Sequence, residues 1–426
     1  MTDNLQNTQM LARYERAQYL EQGVMNTNIS MNTTVCPIWI ENSDCFWYER
    51  ETKQGKNYRL VNASEVSNEE AFDHDKLAES LSEKIDQPVS AEDLPISRVA
   101  ITLSPVVVSF NAFEKRWRFS DELNSCDEIS SLEDHSVVSP DGKKSAFVRD
   151  HNIWLHDLTT GEETSLTTDG TERYAYADAP AAYGAKITME GIEAIWSLDS
   201  KKLFTLQLDT RQVKNLPLME YMPSDGAMRP RVMYANRPVA FPGDENVEEY
   251  RFLSIDVETG QHQEAHFRRS PVFYNAMGFF TSEHGWWNKN NRHVYFIDME
   301  RGNLIARVIE FDTVTGLVRV VIEEKCDICF RLSLNLEDRP VVTYLPDTDE
   351  ILWYSERSGW AHLYLYDVKT GALKNHVTSG NWLVRDILFY DASRRELTIQ
   401  TADRIEGRNP YFRDICRVNI DTSELV

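Results

Sequence analysis

The sequence lacks any run of apolar residues near the roughly 18–20 that a membrane-spanning helix needs. Its start, Met1-Thr-Asp-Asn-Leu-Gln6, has neither the basic stretch nor the apolar stretch of a secretion signal. A cytoplasmic location is expected, with the periplasm as the alternative if a leader has been removed. Basic residues are scarce: 45 Lys and Arg against 68 Asp and Glu leave a formal charge of −23. Phosphate-bearing partners demand a basic surface, so nucleic acid and anionic membranes are disfavoured as partners. The same charge serves solubility, or an acidic cavity that attracts a cation such as the free amine of a peptide. Glycine is limited to 18 residues and no low-complexity tract occurs.

Chemistry-bearing motifs are missing as well. No Gly-x-Ser-x-Gly, Gly-x-x-x-x-Gly-Lys or His-Glu-x-x-His is present, so nucleophile elbow, phosphate loop and zinc-protease helix all drop out. The six cysteines are expected to be reduced in the absence of a secretion signal. Cys326-Asp-Ile-Cys329 has no second pair near it, so four zinc ligands are not in evidence. His262 and His266 lie on an expected strand, where four residues at about 3.3 Å each hold them about 13 Å apart, too far to share an ion. No cofactor and no metal is expected.

What the sequence does contain is repetition. Asp157-Leu-Thr-Thr-Gly161 returns as Asp256-Val-Glu-Thr-Gly260, Asp312-Thr-Val-Thr-Gly316 and Asp367-Val-Lys-Thr-Gly371, with a degraded copy at Asp421-Thr-Ser423. The steps are 99, 56, 55 and 54 residues, so one weaker copy is expected inside the first. Each copy follows an alternating run such as Asn152-Ile-Trp-Leu-His156, which suits a half-buried strand. The Asp accepts from amides two or three residues on, and the Gly takes positive φ without a Cβ clash. A second kind of turn, as in Ser139-Pro-Asp-Gly-Lys-Lys144 and Trp196-Ser-Leu-Asp-Ser-Lys-Lys202, precedes another strand. Two hairpins per repeat make a four-stranded unit, the blade of a β-propeller.

Eight candidate outer hairpins follow Tyr58, Trp117, Ile153, Arg211, Phe252, Val308, Leu363 and Cys416, giving about 49 residues per unit over 36–426. The expected fold is all-β, an eight-bladed propeller with seven blades as the alternative and short helical insertions. Residues 1–35 form a separate arm in which Ala12–Leu20 suits a short helix that must dock on something. Residues 66–94 carry apolar positions 72, 77, 78, 81 and 85 at helical spacing. Residues 171–194 and 219–250 are expected to be loop insertions, where function on a rigid scaffold usually sits.

The stretch Trp353-Tyr-Ser-Glu-Arg-Ser-Gly-Trp-Ala-His-Leu-Tyr-Leu-Tyr-Asp367, followed by Thr378-Ser-Gly-Asn-Trp-Leu-Val384, resembles dipeptidyl peptidase IV of the prolyl oligopeptidase clan. So do Ser139-Pro-Asp-Gly-Lys143, Val148-Arg-Asp-His-Asn-Ile-Trp154, Leu166-Thr-Thr-Asp-Gly170 and Pro410-Tyr411. The resemblance spans about 36–426. It implies the N-terminal propeller of a serine exopeptidase whose α/β-hydrolase domain carries the triad and is absent from this chain. No catalytic residue is then expected here, and the chain alone is expected to be inactive. The arm 1–35 would pack on the hydrolase, peptides would be the substrates, and the full-length protein would be a candidate homodimer.

The family propeller filters substrates by size. It also holds their N-terminal ammonium on an acidic pair and aims an Arg at a substrate carbonyl. Lys115-Arg-Trp-Arg-Phe-Ser120 resembles the family's Lys-x-Trp-Arg-x-Ser, which makes Arg118 the candidate. Thr188-Met-Glu-Gly-Ile-Glu-Ala-Ile195 lacks the adjacent Glu-Glu of the family, and Glu190 and Glu193 are the nearest acids. That departure leaves a related aminopeptidase or oligopeptidase specificity open. A stand-alone propeller scaffold for protein–protein interaction is the alternative function.

Overall fold

One five-residue turn recurs along the chain and sets the architecture. In the computed structural model, which describes residues 2–25, 31–32, 35–40, 43–129, 136–178, 192–223, 225–271, 279–280, 282–333 and 339–426, it occurs at 62–66, 120–124, 157–161, 256–260, 312–316, 367–371 and 419–423. Its first residue supplies a side-chain oxygen to amides ahead of it. Asp157 Oδ1 accepts from Thr159 N at 2.8 Å and Thr160 N at 2.9 Å, and Asp256 does the same for residues 258 and 259. Asn62 Oδ1 accepts from Ser64 N and Glu65 N, both at 3.1 Å. Asn419 Oδ1 accepts from Asp421 N and Thr422 N, both at 3.0 Å. The fifth residue is left-handed in every copy, with φ between 46° and 81° for Val66, Asn124, Gly161, Gly260, Gly316, Gly371 and Ser423. In the four Asp copies the Thr at position four accepts the amide two residues on, at 3.3 Å in each case. These bonds stabilise the charged carboxylates: the Thr159 hydroxyl and the amides of Thr160 and Thr159 lower Asp157 to about 2.

Each turn joins the third and fourth strands of an antiparallel meander. The strands Ile38–Trp39, Cys45–Glu51, Lys56–Asn62 and Ser67–Glu70 pair in that order. The next sheet runs Ser97–Thr102, Val107–Ala112, Lys115–Ser120, Ser125–Ile129, and the third Ser136–Val138, Lys144–Arg149, Asn152–Asp157, Glu163–Ser165. In the fourth, Tyr174–Tyr176 and Ala194–Trp196 both pair with Lys202–Asp209, which pairs with Glu249–Asp256 and then His262–Glu264. The fifth comprises Gly285–Trp287, His293–Met299, Ile305–Asp312 and Val318–Lys325. The sixth comprises Thr343–Leu345, Glu350–Ser355, His362–Asp367 and Leu373–His376. The last has Leu383–Asp391, Glu396–Ala402 and Arg413–Asn419, with Leu425 bridging back to Val418. Such meanders are the blades of a β-propeller. The fold is all-β, with two helices among the described residues.

The count among the described residues is seven blades, not eight, beside one two-stranded ribbon. The candidate hairpin after Arg211 fails because Lys202–Asp209 pairs along its whole length with Glu249–Asp256. The two strands are neighbours in one sheet, and 210–248 is an excursion containing a two-stranded ribbon, Asn215–Glu220 with Arg231–Pro238. The 99-residue step is therefore one blade with an insertion, and its described residues hold no further copy. The degraded last copy starts on Asn419, two residues before Asp421.

By its internal contacts the chain divides into two units, residues 1–131 and 132–426, a boundary inside the 36–426 span that the sequence reads as one propeller. In the first unit, the helix His74–Ile85 opens on Asp73, whose Oδ1 accepts Lys76 N at 3.0 Å. It buries Leu77, Ala78 and Leu81 against a core that includes Phe110, Trp117 and Phe119. The helix Thr2–Met25 exposes every side chain described on it, from Met10 to Glu21. In the second unit, successive sheets bury alternate residues against one another. Leu203, Leu253 and Ile255 share a core with Ile153 and Leu155 of the third sheet. Phe204 and Phe252 face Phe296 and Phe311 of the fifth. A repeated indole bond ties the first strands together: Trp196 Nε1 donates to Val137 O at 2.9 Å, and Trp287 Nε1 to Ile195 O at 3.1 Å. No helix among the described residues is long and apolar enough to cross a membrane.

Two predictions follow from this framework. Val66 is a β-branched, exposed residue held at φ 56°, a conformation costing about 1–3 kcal/mol. Val66→Gly is expected to raise stability by roughly 1 kcal/mol after the added freedom of the unfolded chain is subtracted, read as a higher urea midpoint. Second, burial lowers His284 from 6.5 to about 4 and also depresses His74 and His362. Below pH 6.5 the unfolded chain then binds more protons than the folded one, so stability falls with pH from about 6.5 towards 4. The lowered Asp residues act only below their unfolded value of 3.8. Urea midpoints at pH 7.5, 6.5, 5.5 and 4.5 check this; a flat series contradicts it.

Candidate functional site

The block that carries the family resemblance forms one corner of the sixth sheet. Glu350–Ser355 and His362–Asp367 pair closely, and the tight turn between them is closed by Gly359 at φ 87°, whose amide donates to Glu356 O at 2.8 Å. Arg357 lies over the Tyr364 ring, 4.3 Å from its centroid. Its Nε donates to Ser355 Oγ at 2.9 Å and its Nη1 to Tyr366 Oη at 2.9 Å. Its Nη2 pairs with Glu324, reached from the fifth sheet. Glu324 also accepts Trp353 Nε1 at 2.8 Å and the Ser355 hydroxyl. One carboxylate thus gathers an Arg, a Trp and a Ser from a block more than 28 residues away in sequence.

His362 is buried in the same sheet. Gly380 O can only accept, so the Nε2 facing it at 3.0 Å carries the proton. Thr378 Oγ1, which accepts Leu363 N, donates to Nδ1 at 2.9 Å. Burial pushes its pKa down, and the ring stands edge-on to Trp382. Both ring nitrogens are engaged, which makes His362 a brace and not a base.

Arg118 sits in the first unit, on Lys115–Ser120, opposite Ser109 and Asp127 in register. Trp117 and Phe119 point into the core, and Arg118 is exposed on the other face. Glu193 sits in the second unit and is buried. Its Oε2 accepts the amides of Phe279 at 3.0 Å and Phe280 at 2.6 Å, while its carbonyl accepts Thr205 Oγ1 at 2.8 Å. That carboxylate braces the start of the fifth sheet. Glu190 lies outside the described residues.

Of the two histidines, His262 places Nε2 at 3.1 Å from Leu166 O and packs edge-on to Tyr176. The backbone of His266 bonds to Gly316 O at 2.7 Å. Among the described residues no group of three or more His, Cys, Asp or Glu is placed to hold a metal ion. One feature escaped sequence reasoning: a cavity in the first unit lined by Trp47, Glu49, Glu51, Tyr58 and Arg98. Its only sequence signal is a pair of acids at alternate positions on a strand that begins Cys45-Phe-Trp.

Comparison with known proteins fits this picture. The chain is 24% identical over 265 residues to "Probable dipeptidyl peptidase 4" of Aspergillus clavatus, covering 60% of this chain and 32% of that protein. It is 29% identical over 93 residues to "Probable dipeptidyl-aminopeptidase B" of Trichophyton verrucosum, 22% of this chain and 10% of that one. The crystal structure of Porphyromonas gingivalis dipeptidyl peptidase 4 superposes with a TM-score of 0.64 at 16% identity, over 95% of this chain and 54% of that chain. The chain therefore spans about half of the solved protein and a third or less of these two fungal relatives. Residues 114–426 match the family model described as "Dipeptidyl peptidase IV (DPP IV) N-terminal region". The chain belongs to the dipeptidyl peptidase IV N-terminal region family.

Proposed function

We propose that this chain is the propeller of a dipeptidyl peptidase IV-like serine peptidase, limiting access to an α/β-hydrolase domain and holding the free N-terminus of peptide substrates for it. The observation that carries this reading is the family match over 114–426. The 426 residues contain no Gly-x-Ser-x-Gly, so the nucleophile is assigned to the hydrolase. The helix Thr2–Met25, with Tyr14, Tyr19 and Leu20 exposed, is assigned as the arm that packs on that domain.

Within this reading the propeller acts by position and charge. A bound ammonium keeps the substrate's first residues in register with a distant nucleophile, which converts binding energy into orientation. Glu193 Oε2 is already engaged by two amides, so the ammonium is assigned to Glu190, with Glu193 fixing the end of the same insertion. Arg118, exposed and always charged, is assigned to a substrate carbonyl.

The test compares this chain with the product of the whole gene on Gly-Pro-p-nitroanilide. The 426-residue chain is expected to give no turnover, and the whole product is expected to release dipeptide and to be blocked by a serine-directed reagent. Arg118→Ala in the whole product is expected to raise KM about tenfold with little change in kcat, the mark of lost uniform binding. A whole product inert towards peptides, or inhibitor-sensitive turnover by the isolated chain, overturns the reading.

A further inference from the structure

The last strand of the fifth sheet, Val318–Lys325, runs straight into Cys326-Asp-Ile-Cys329. The scaffold and the peptide site leave this pair of thiols unused. Both are free. Cys326 is half-buried and packs against the core that holds Phe330, Leu332 and Trp353. Cys329 is exposed, and Ile328 beside it is 88% exposed. Among the described residues no third His, Cys, Asp or Glu joins the pair in a group that could hold a metal ion. The chemistry left to two neighbouring thiols is exchange with a disulfide.

Both ends of the segment are pegged to one turn of the same sheet. That turn leads into Ile305–Asp312: Asn303 N donates to Glu300 O at 2.9 Å, and Asn303 is left-handed at φ 55°. Cys326 N donates to Leu304 O at 2.9 Å, and Phe330 N to Asn303 O at 2.5 Å. The Cys326 thiol donates to the same Asn303 carbonyl at 3.7 Å. Four residues of extended chain would hold positions 326 and 330 about 13 Å apart. Here the side chain of one and the amide of the other meet at a single oxygen, because the chain between them bends at Asp327 and Ile328. Two cysteines three positions apart on a straight strand lie about 10 Å from each other, beyond the roughly 4.4–6.8 Å between Cα atoms that a disulfide spans. The doubled-back segment removes that obstacle. The Cys329 thiol is held by no more than a weak bond to Phe330 O at 3.8 Å.

We propose that Cys326 and Cys329 are a reversible thiol–disulfide site, oxidised by low-molecular-weight disulfides of the glutathione class. Exposed Cys329 is the entry point. As a thiolate it attacks one sulfur of the disulfide; a protein–glutathione bond forms, the glutathione S–S bond breaks, and one glutathione leaves. Cys326 then gives up its proton and attacks the Cys329 sulfur. The mixed disulfide breaks, the internal disulfide forms, and the second glutathione leaves. Two protein thiols are oxidised, one external disulfide is reduced to two thiols, and the two protons pass to the leaving glutathiones. The backbone pegs at Cys326 N and Phe330 N are in place beforehand, so the sheets stay as they are and the loop tip alone adjusts. Oxidation fixes that tip and with it the surface that Ile328 presents. The site lies within the second unit and does not rest on the hydrolase reading.

The test incubates the 426-residue chain in mixtures of oxidised and reduced glutathione, quenches with acid, alkylates the remaining thiols and digests with trypsin. Cleavage after Lys325 and Arg331 releases both cysteines on one peptide, 326–331. Mass spectrometry is expected to show that peptide unalkylated and lighter by two hydrogens, in a fraction that rises with the oxidised share and returns to the dialkylated form in excess reduced glutathione. Cys326→Ser is expected to trap a lasting glutathione adduct on Cys329. Cys329→Ser is expected to take up glutathione at position 326 at least about tenfold more slowly than Cys326→Ser does at position 329, since access governs exchange. Circular dichroism of the oxidised parent is expected to match the reduced one. A peptide that stays dialkylated in every mixture overturns the proposal. So does a lasting adduct on Cys329 in the parent, or a disulfide that links two chains on a non-reducing gel. The parent titration decides the matter even where a serine variant fails to fold. Peptidase activity of the whole gene product enters none of these measurements, so this proposal and the proposed function can fail independently.

Discussion

The architecture depends on one local demand: a backbone that reverses in five residues, with an oxygen at the first and a left-handed residue at the fifth. A two-residue hairpin loop fixes register rigidly, and a longer loop leaves it free. This turn lies between, and its side-chain bonds hold the register instead of its length. Because strand side chains alternate, a slip of one residue would invert both faces of a sheet. In the second unit that would turn Leu203 and Phe204 against the wrong neighbours, although each is fully buried between two sheets. The turns therefore decide which residues meet across the interfaces, and the hydrophobic energy is realised only when they are correct.

That dependence explains what the sequence made legible. Four copies with Asp first and Gly last were visible because both residue types are the strongest answers to the demand. Two were hidden and a third was placed two residues late because weaker answers suffice: Asn62 with Val66, Ser120 with Asn124, and Asn419 with Ser423. A search for physical function, an oxygen followed four residues later by a tolerated left-handed position, would find more than a search for letters. The eighth blade was an error of the opposite kind. The stretch after Arg211 has turn composition, but whether two strands flank one hairpin or belong to one sheet is a long-range fact. Here it is settled by pairing between positions 202–209 and 249–256.

The candidate site divides along the same line. Arg118 could be placed from its local pattern, since alternation with Trp117 and Phe119 sends it outward. Glu193 could not. Its partners, the amides of Phe279 and Phe280, lie 86 and 87 residues away, and nothing near Glu193 announces that it will be buried. A buried carboxylate that accepts two amides satisfies its lone pairs with those donors and braces the backbone that supplies them. The same physics applies to Glu324, Glu350 and Asp298. Each is nearly or fully buried and each is paired with at least one cation from outside its own strand.

This has a consequence for how family and function are connected. The residues that mark the family most specifically, Ser355, Glu356, Arg357, Gly359 and His362, form a corner in which both nitrogens of His362 and all three nitrogens of Arg357 are engaged by the protein itself. Their bonds are spent inside the sheet they close. Family membership therefore speaks to the scaffold. Under the proposed function, substrate choice is assigned to where the repeat is broken: the insertion ending at Glu193 and the excursion 210–248. Those stretches lie outside the seven turns, which is the physical condition for one scaffold to serve several substrates.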